Sequence, residues 1–197
     1  MNLIDRVSRQ FEDNMRTALE ALEMLAAPIA GATELITACL LENGKILVCG
    51  AAGSAGDARR FAAQLVNGFE LERPSLAAMA LSADASTLAP IAGEPDTSGL
   101  FARQIEVFGH PGDVLVAIAA NGEPARLLDA IRAAHERDMR VIALTGADAE
   151  HIAERLGPAD IHLAAPAERT ARIQELHLLI LHCLCDGIDC LLLGVED

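Results

Sequence analysis

Residues 113–119 read Asp-Val-Leu-Val-Ala-Ile-Ala, an apolar run without the polar alternation of a half-exposed strand. A strand of that pattern is buried on both faces, which calls for a parallel sheet with helices above and below it. The rest of the chain agrees. Lys45 to Gly50, Arg140 to Thr145 and Asp160 to Ala165 are further β-rich runs, and Ser75 to Leu81, after Pro74, is a weaker one. Helix-period segments lie near 54–67, 123–137 and 149–156, and a last helix starts near Glu168 and runs toward the C-terminus. Strands alternating with helices predict an α/β fold on a doubly wound, mostly parallel sheet.

Ahead of the first strand the pattern is helical. Ile4, Val7, Phe11, Met15, Ala18, Leu22 and Leu25 recur in steps of three and four and lay one apolar stripe along a long helix. Pro28 and Gly31 then punctuate, so a second helix is expected from about Ala32 to Leu41, stopping at Asn43-Gly44. The expected organisation is one domain over 1–197, with a helical arm at 1–43 and an α/β core at 44–197. The stripe packs either on its own domain or on another subunit. Leu178 to Leu184 is apolar on nearly every face of the last helix, which requires cover on more than one side and points to an oligomer.

Charge narrows the partners. With 29 Asp+Glu against 15 Lys+Arg the net charge is −14, and aromatic residues are only 3% of the chain. An acidic surface repels phosphate backbones and five Phe make no stacking platform, so direct nucleic-acid binding is not expected. The N-terminus lacks the cationic start and apolar run of a signal peptide, and Leu176 to Leu193 is interrupted by His177, His182, Asp186 and Asp189. A cytoplasmic protein without a membrane partner is expected. Its five cysteines read as reduced thiols, and Cys183 and Cys185, about 200° apart on a helix, do not share a metal. Neither a metal nor a cofactor is expected.

Three segments could carry chemistry. Cys49-Gly-Ala-Ala-Gly-Ser-Ala-Gly-Asp-Ala58 joins a strand to a helix, where backbone N–H groups and a helix N-terminus can meet an anion. Its glycines match neither GxGxxG nor a P-loop, and Ser54 either caps the helix or binds phosphate, with Gly53 beside it. Ala119-Ala-Asn-Gly-Glu-Pro124 holds the equivalent place after the strongest strand. Asn121 and Gly122 are its anion-binding candidates, although it lacks a hydroxyl and reads more simply as a turn. The third segment is Arg169 to His177 with His182: Gln174 and His182 are about 80° apart on a helix and can border one cleft. His182 is either an acid/base or metal group or a buried residue satisfied by a neighbour, while Glu175 and His177 read as interface or capping groups.

These pieces, with Phe61-Ala-Ala-Gln64, Glu72-Arg-Pro-Ser-Leu, Phe101-Ala-Arg-Gln104, Val141 to Gly146 and Arg172 to His177, resemble a sugar isomerase (SIS) domain of the phosphoheptose isomerase group over nearly the whole chain. The group has an enzymatic branch, which interconverts a ketose and an aldose phosphate through an enediol, and a DiaA-type branch that associates with the replication initiator DnaA as a homotetramer. The enzyme pattern implies His and Glu on the first sheet helix, where this chain has Arg60 and Gln64. Gln64 cannot abstract a proton at neutral pH, and Arg60 cannot ligate a metal. Gln174 and His182 remain, so Gln64, Gln174 and His182 read as vestigial, and Ala119 to Asn121 replace hydroxyl residues. The expectation is therefore a non-catalytic homotetrameric adaptor that binds DnaA through Leu191, Leu192 and Leu193 and promotes its assembly at the origin. The alternative is a sedoheptulose 7-phosphate isomerase or a phosphosugar-binding protein.

Overall fold

A computed structural model describes residues 2–81, 99–120 and 124–194. The elements, in chain order, are α1 (Leu3–Leu41), β1 (Ile46–Gly50), α2 (Ser54–Asn67), β2 (Ala78–Ala80), α3 (Leu100–Phe108), β3 (Val114–Ile118), α4 (Pro124–Glu136), β4 (Arg140–Thr145), α5 (Glu150–Ala153), β5 (Ile161–Ala164) and α6 (Thr170–Leu193). The five strands form one parallel sheet in the order β2-β1-β3-β4-β5. Every residue of β1 and β3 is buried, as their unbroken apolar runs require.

Alternate strand residues feed two cores. Val48, Val116 and Ile142 face α1, α2 and α6 through Ile36, Phe61 and Ile180, whereas Leu47, Leu115 and Val141 face α3 and α4 through Phe101, Ile105 and Leu127. The result is a three-layer α/β/α sandwich. Each large side chain fully buried in it contributes about 1.5–3 kcal/mol. β1 sits between β2 and β3, so the chain leaves β1 in one direction to reach β2 and returns on its other side to β3. That reversal opens a crevice beyond the carboxyl ends of β1 and β3.

Two sequence expectations need correction. The N-terminal segment is one helix, not two: Pro28 lies inside α1. A mid-helix proline costs about 3 kcal/mol, but Ala32 and Ile36 beyond it are wholly buried and Leu25 before it nearly so, all in the same core. Packing on both sides of the proline holds the helix through it. Second, α3 was not expected; it is short, and its core residues Leu100, Phe101 and Ile105 read as a motif rather than a period. The first half of the α1 stripe, Ile4, Val7, Phe11, Met15 and Leu22, does not pack on its own domain but is exposed.

α1 and α6 are both long and apolar enough, by length and composition, to cross a membrane. About a third of the apolar window of α1 and under half of that of α6 are buried in this chain, and α6 carries the buried, ion-paired Asp189.

Candidate functional site

The loop after β1 turns back tightly on α2. Ala52 adopts a positive φ of 48°, and a Cβ added to Gly50 would run into the Ser54 backbone. Ser54 N–H donates to the Ala51 carbonyl at 3.0 Å and Ala55 N–H to that of Ala52 at 3.2 Å. The helix is capped by Gly53 without a side-chain bond, so Ser54 is not the cap but the first helical residue. It is 1% exposed, and its Oγ has no hydrogen-bond partner. A buried hydroxyl without a partner costs free energy, and here it sits at the positive end of a 14-residue helix. In the second loop, Asn121 and Gly122 lie outside the described residues.

α6 closes the site from the side. A Cβ on Gly53 would meet Gln174 Nε2, so the glycine is what lets this amide lie against the loop. Eleven residues along α2 from Gly53, Gln64 Oε1 accepts from Cys185 Sγ at 3.7 Å, eleven residues along α6 from Gln174. Two contacts with one sequence offset mean that α2 and α6 run side by side in the same direction. Gln64 and Gln174 thus lie on one seam, separated along it by about 16 Å of helix. His182 is on the α6 side of that seam, half-buried, its ring 5.2 Å from that of Phe69.

Sequence reasoning placed His177 at an interface or cap; the structure buries it completely. Its Nε2–H donates to the Thr145 carbonyl at 3.0 Å, which leaves Nδ1 as a bare acceptor without a partner. Burial pushes its pKa down, opposed by that hydrogen bond and by Asp57 in the first turn of α2. His162 on β5 meets Thr145 Oγ1 at 2.8 Å, and burial lowers its pKa too. The helical period carried the signal for His177, since it lies one turn from Gln174 on the inward face of α6.

A further pair escaped the sequence reading. Arg73 and Asp189 form an ion pair whose side chains are 1% and 2% exposed. Arg73 also donates to the carbonyls of Leu65, Gln64 and Pro74 at 2.8, 3.1 and 3.1 Å. It thereby ties the last turn of α2, with Gln64, to α6. An aspartate among Cys185 and Ile188 on the apolar side of a helix was the available signal, because a buried charge needs a partner.

Leu192 packs against the core, while Leu191 and Leu193 are exposed. Leu191 belongs to an apolar groove of about 500 Å³ between α1 and α6, together with Leu22, Leu25, Ile29, Leu179 and Cys183. The cover expected over Leu178 to Leu184 is therefore one-sided within a single chain: Leu179 and Cys183 stay exposed. Among the described residues no three His, Cys, Asp or Glu side chains converge as a metal site.

Comparison with known proteins bears on this site. Residues 10–146 match the SIS domain family. Phosphoheptose isomerases of Aromatoleum aromaticum and Azoarcus sp. are 62% and 60% identical over 197 residues, covering all of both chains. The structure of phosphoheptose isomerase GmhA from Neisseria gonorrhoeae superposes with a TM-score of 0.88 at 44% identity, covering 95% of this chain and 99% of that one. A phosphoheptose isomerase from Francisella tularensis gives a TM-score of 0.90 at 38% identity, covering 96% and 99%. These findings overturn the expectation of a non-catalytic adaptor for DnaA, since relatives this similar over the full length are named as isomerases. In the Leu191–Leu193 patch, Leu192 packs partly buried against the core, Leu191 borders a groove between two helices of this chain, and Leu193 is exposed.

Proposed function

This chain belongs to the SIS-domain family of phosphoheptose isomerases, and from that premise we propose that it interconverts a ketose and an aldose phosphate, with sedoheptulose 7-phosphate as substrate. The full-length similarity to proteins named phosphoheptose isomerase carries this reading.

The geometry fits it. The phosphate lies against the N-terminus of α2, at Gly53 and the unpartnered Ser54 hydroxyl. Asn121 and Gly122 remain the sequence candidates for further phosphate contacts and lie outside the described residues. The carbonyl end of the sugar extends along the seam between α2 and α6. There His182 takes the proton from the carbon beside the carbonyl and returns it to the neighbouring carbon. The Gln174 amide donates to substrate oxygens, as does that of Gln64, whose Oε1 is already engaged by Cys185. With Gln64 in place of a carboxylate base beside His182, the seam forgoes roughly 10²–10⁴ in rate, so turnover is slow.

The absence of a carboxylate at Gln64 favours one second reading, a cytoplasmic phosphosugar-binding protein without turnover. Sedoheptulose 7-phosphate in D₂O, followed by NMR, separates the two. Deuterium incorporated at the carbon beside the carbonyl supports the isomerase. Calorimetric binding without incorporation supports the second reading, and neither signal overturns both. The exposed α1 stripe and the α1–α6 groove support assembly as a homotetramer. Light scattering that gives the mass of one chain at working concentration would refute that.

A further inference from the structure

The register of α2 against α6 brings one more side chain to the seam. Gln64 and Cys185 are 121 residues apart, as are Gly53 and Gln174, and the same offset sets Arg60 level with Leu181, beside His182. Around α2, Arg60 lies about 40° from Gln64; around α6, His182 lies about 60° from Cys185. Arg60 is exposed and His182 half-buried, whereas Gln64 and Cys185 touch, so Arg60 and His182 form the outer lips of one seam. Arg59 points about 100° away from Arg60 and does not border it.

Arg60 makes no hydrogen bond or ion pair with any described residue. Arg16, Arg73, Arg132, Arg169 and Arg172 all hold carboxylates, whereas Arg60, like Arg59 and Arg155, holds none among the described residues. It lies six residues, about 9 Å of helix, beyond Ser54, on the side where the carbonyl end of a substrate anchored by its phosphate would reach.

Building on the isomerase reading, we propose that Arg60 is a catalytic residue whose guanidinium faces the oxygen that gains negative charge as the enediolate forms. The C–H bond beside the carbonyl breaks and its proton passes to the unprotonated ring nitrogen of His182. The bonding pair becomes the carbon–carbon double bond, and the carbonyl pair moves onto oxygen opposite Arg60. When His182 returns the proton to the former carbonyl carbon, the double-bond pair forms the new C–H bond. The hydroxyl on the carbon first deprotonated passes its proton to the enediolate oxygen, and the carbonyl re-forms there, one position along the chain. Arginine stays protonated throughout, so it acts by charge and by its planar fork of N–H donors, which can span two adjacent sugar oxygens. Such a group stabilises the transition state more than the bound sugar, and removing it costs rate rather than affinity.

Because Arg60 is exposed and its side chain has no partner among the described residues, its substitution leaves the fold intact, which circular dichroism checks. Arg60→Gln is expected to lower kcat about 10²- to 10³-fold while the Kd for sedoheptulose 7-phosphate, read by calorimetry, changes less than about threefold. Arg60→Lys, a point charge without the fork, recovers only part of the rate. A kcat for Arg60→Gln within about threefold of the parent, or a loss confined to KM and Kd, overturns the proposal while the isomerase reading stands. Absence of deuterium exchange in the parent protein sinks both.

Discussion

The Arg73–Asp189 pair offers a direct test of what holds the site together. Asp189→Ala leaves a guanidinium that is 1% exposed, still bonded to the carbonyls of Gln64, Leu65 and Pro74 but with its charge unopposed. Arg73→Met leaves the opposite charge uncompensated and also removes the donors to three carbonyls, two of them in the last turn of α2. Removing one partner of a buried pair costs about 3–5 kcal/mol. The unpartnered Asp189 Oδ2 shows that the carboxylate is incompletely satisfied, which puts Asp189→Ala near the lower end and Arg73→Met near the upper. For a chain of this length each kcal/mol shifts Tm by roughly 2–4 °C, so the expected drops run from about 6 to about 20 °C. Urea unfolding followed by circular dichroism, at one protein concentration because oligomerisation adds to apparent stability, measures the difference. The double variant Arg73→Met/Asp189→Leu should recover at least half of the larger loss, since no unpaired charge remains. A single-variant loss under about 1 kcal/mol would refute the reasoning; so would a double variant as unstable as the sum of the singles.

Three other expectations follow from particular contacts. Gly53 has φ −60° and ψ −33°, open to any residue, so Gly53→Ala tests only the clash with Gln174; substrate KM should rise several-fold with little change in Tm, and an unchanged KM would remove Gln174 from the site. Pro28→Ala restores a mid-helix N–H donor and should raise stability by about 1–3 kcal/mol in thermal unfolding, whereas a lower Tm would show that the proline ring itself is packed. His177 and His162 have pKa values lowered by burial, so below the unfolded histidine value of about 6.5 the unfolded chain binds more protons than the native one. Stability should therefore fall as pH drops from about 7.5 to about 5.5, less steeply in His177→Gln, and a parallel slope in the two proteins would exclude His177 as a source.

Helical period and local residue type carried the sequence reading as far as the elements. Ser54–Asn67 was located to the residue, because a small-residue loop and a C-terminal Gly68 bracket its apolar face. The continuous runs of β1, β3 and β4 announced a parallel sheet, and the strand-to-helix loop with Gly53 and Ser54 was legible as a tight turn opening into a helix. Pro28 misled, because a local rule about proline says nothing of the core on either side of it. The adaptor reading misled for a related reason: Arg60 and Gln64 were weighed as losses, one residue at a time, while similarity over all 197 residues points to an isomerase.

The sequence alone determined what depends on neighbours along the chain: strands buried on both faces, hence helices on both sides of a parallel sheet, and a glycine-bearing turn opening into a helix. Tertiary structure decided what depends on residues far apart in sequence. The strand order β2-β1-β3-β4-β5 places the crevice, and one constant offset between α2 and α6 brings Gly53 to Gln174, Gln64 to Cys185 and Arg60 to the level of His182. Burial of Arg73 with Asp189 then fixes that alignment. No periodicity encodes such a register, because it is set by how two helices pack against a shared sheet.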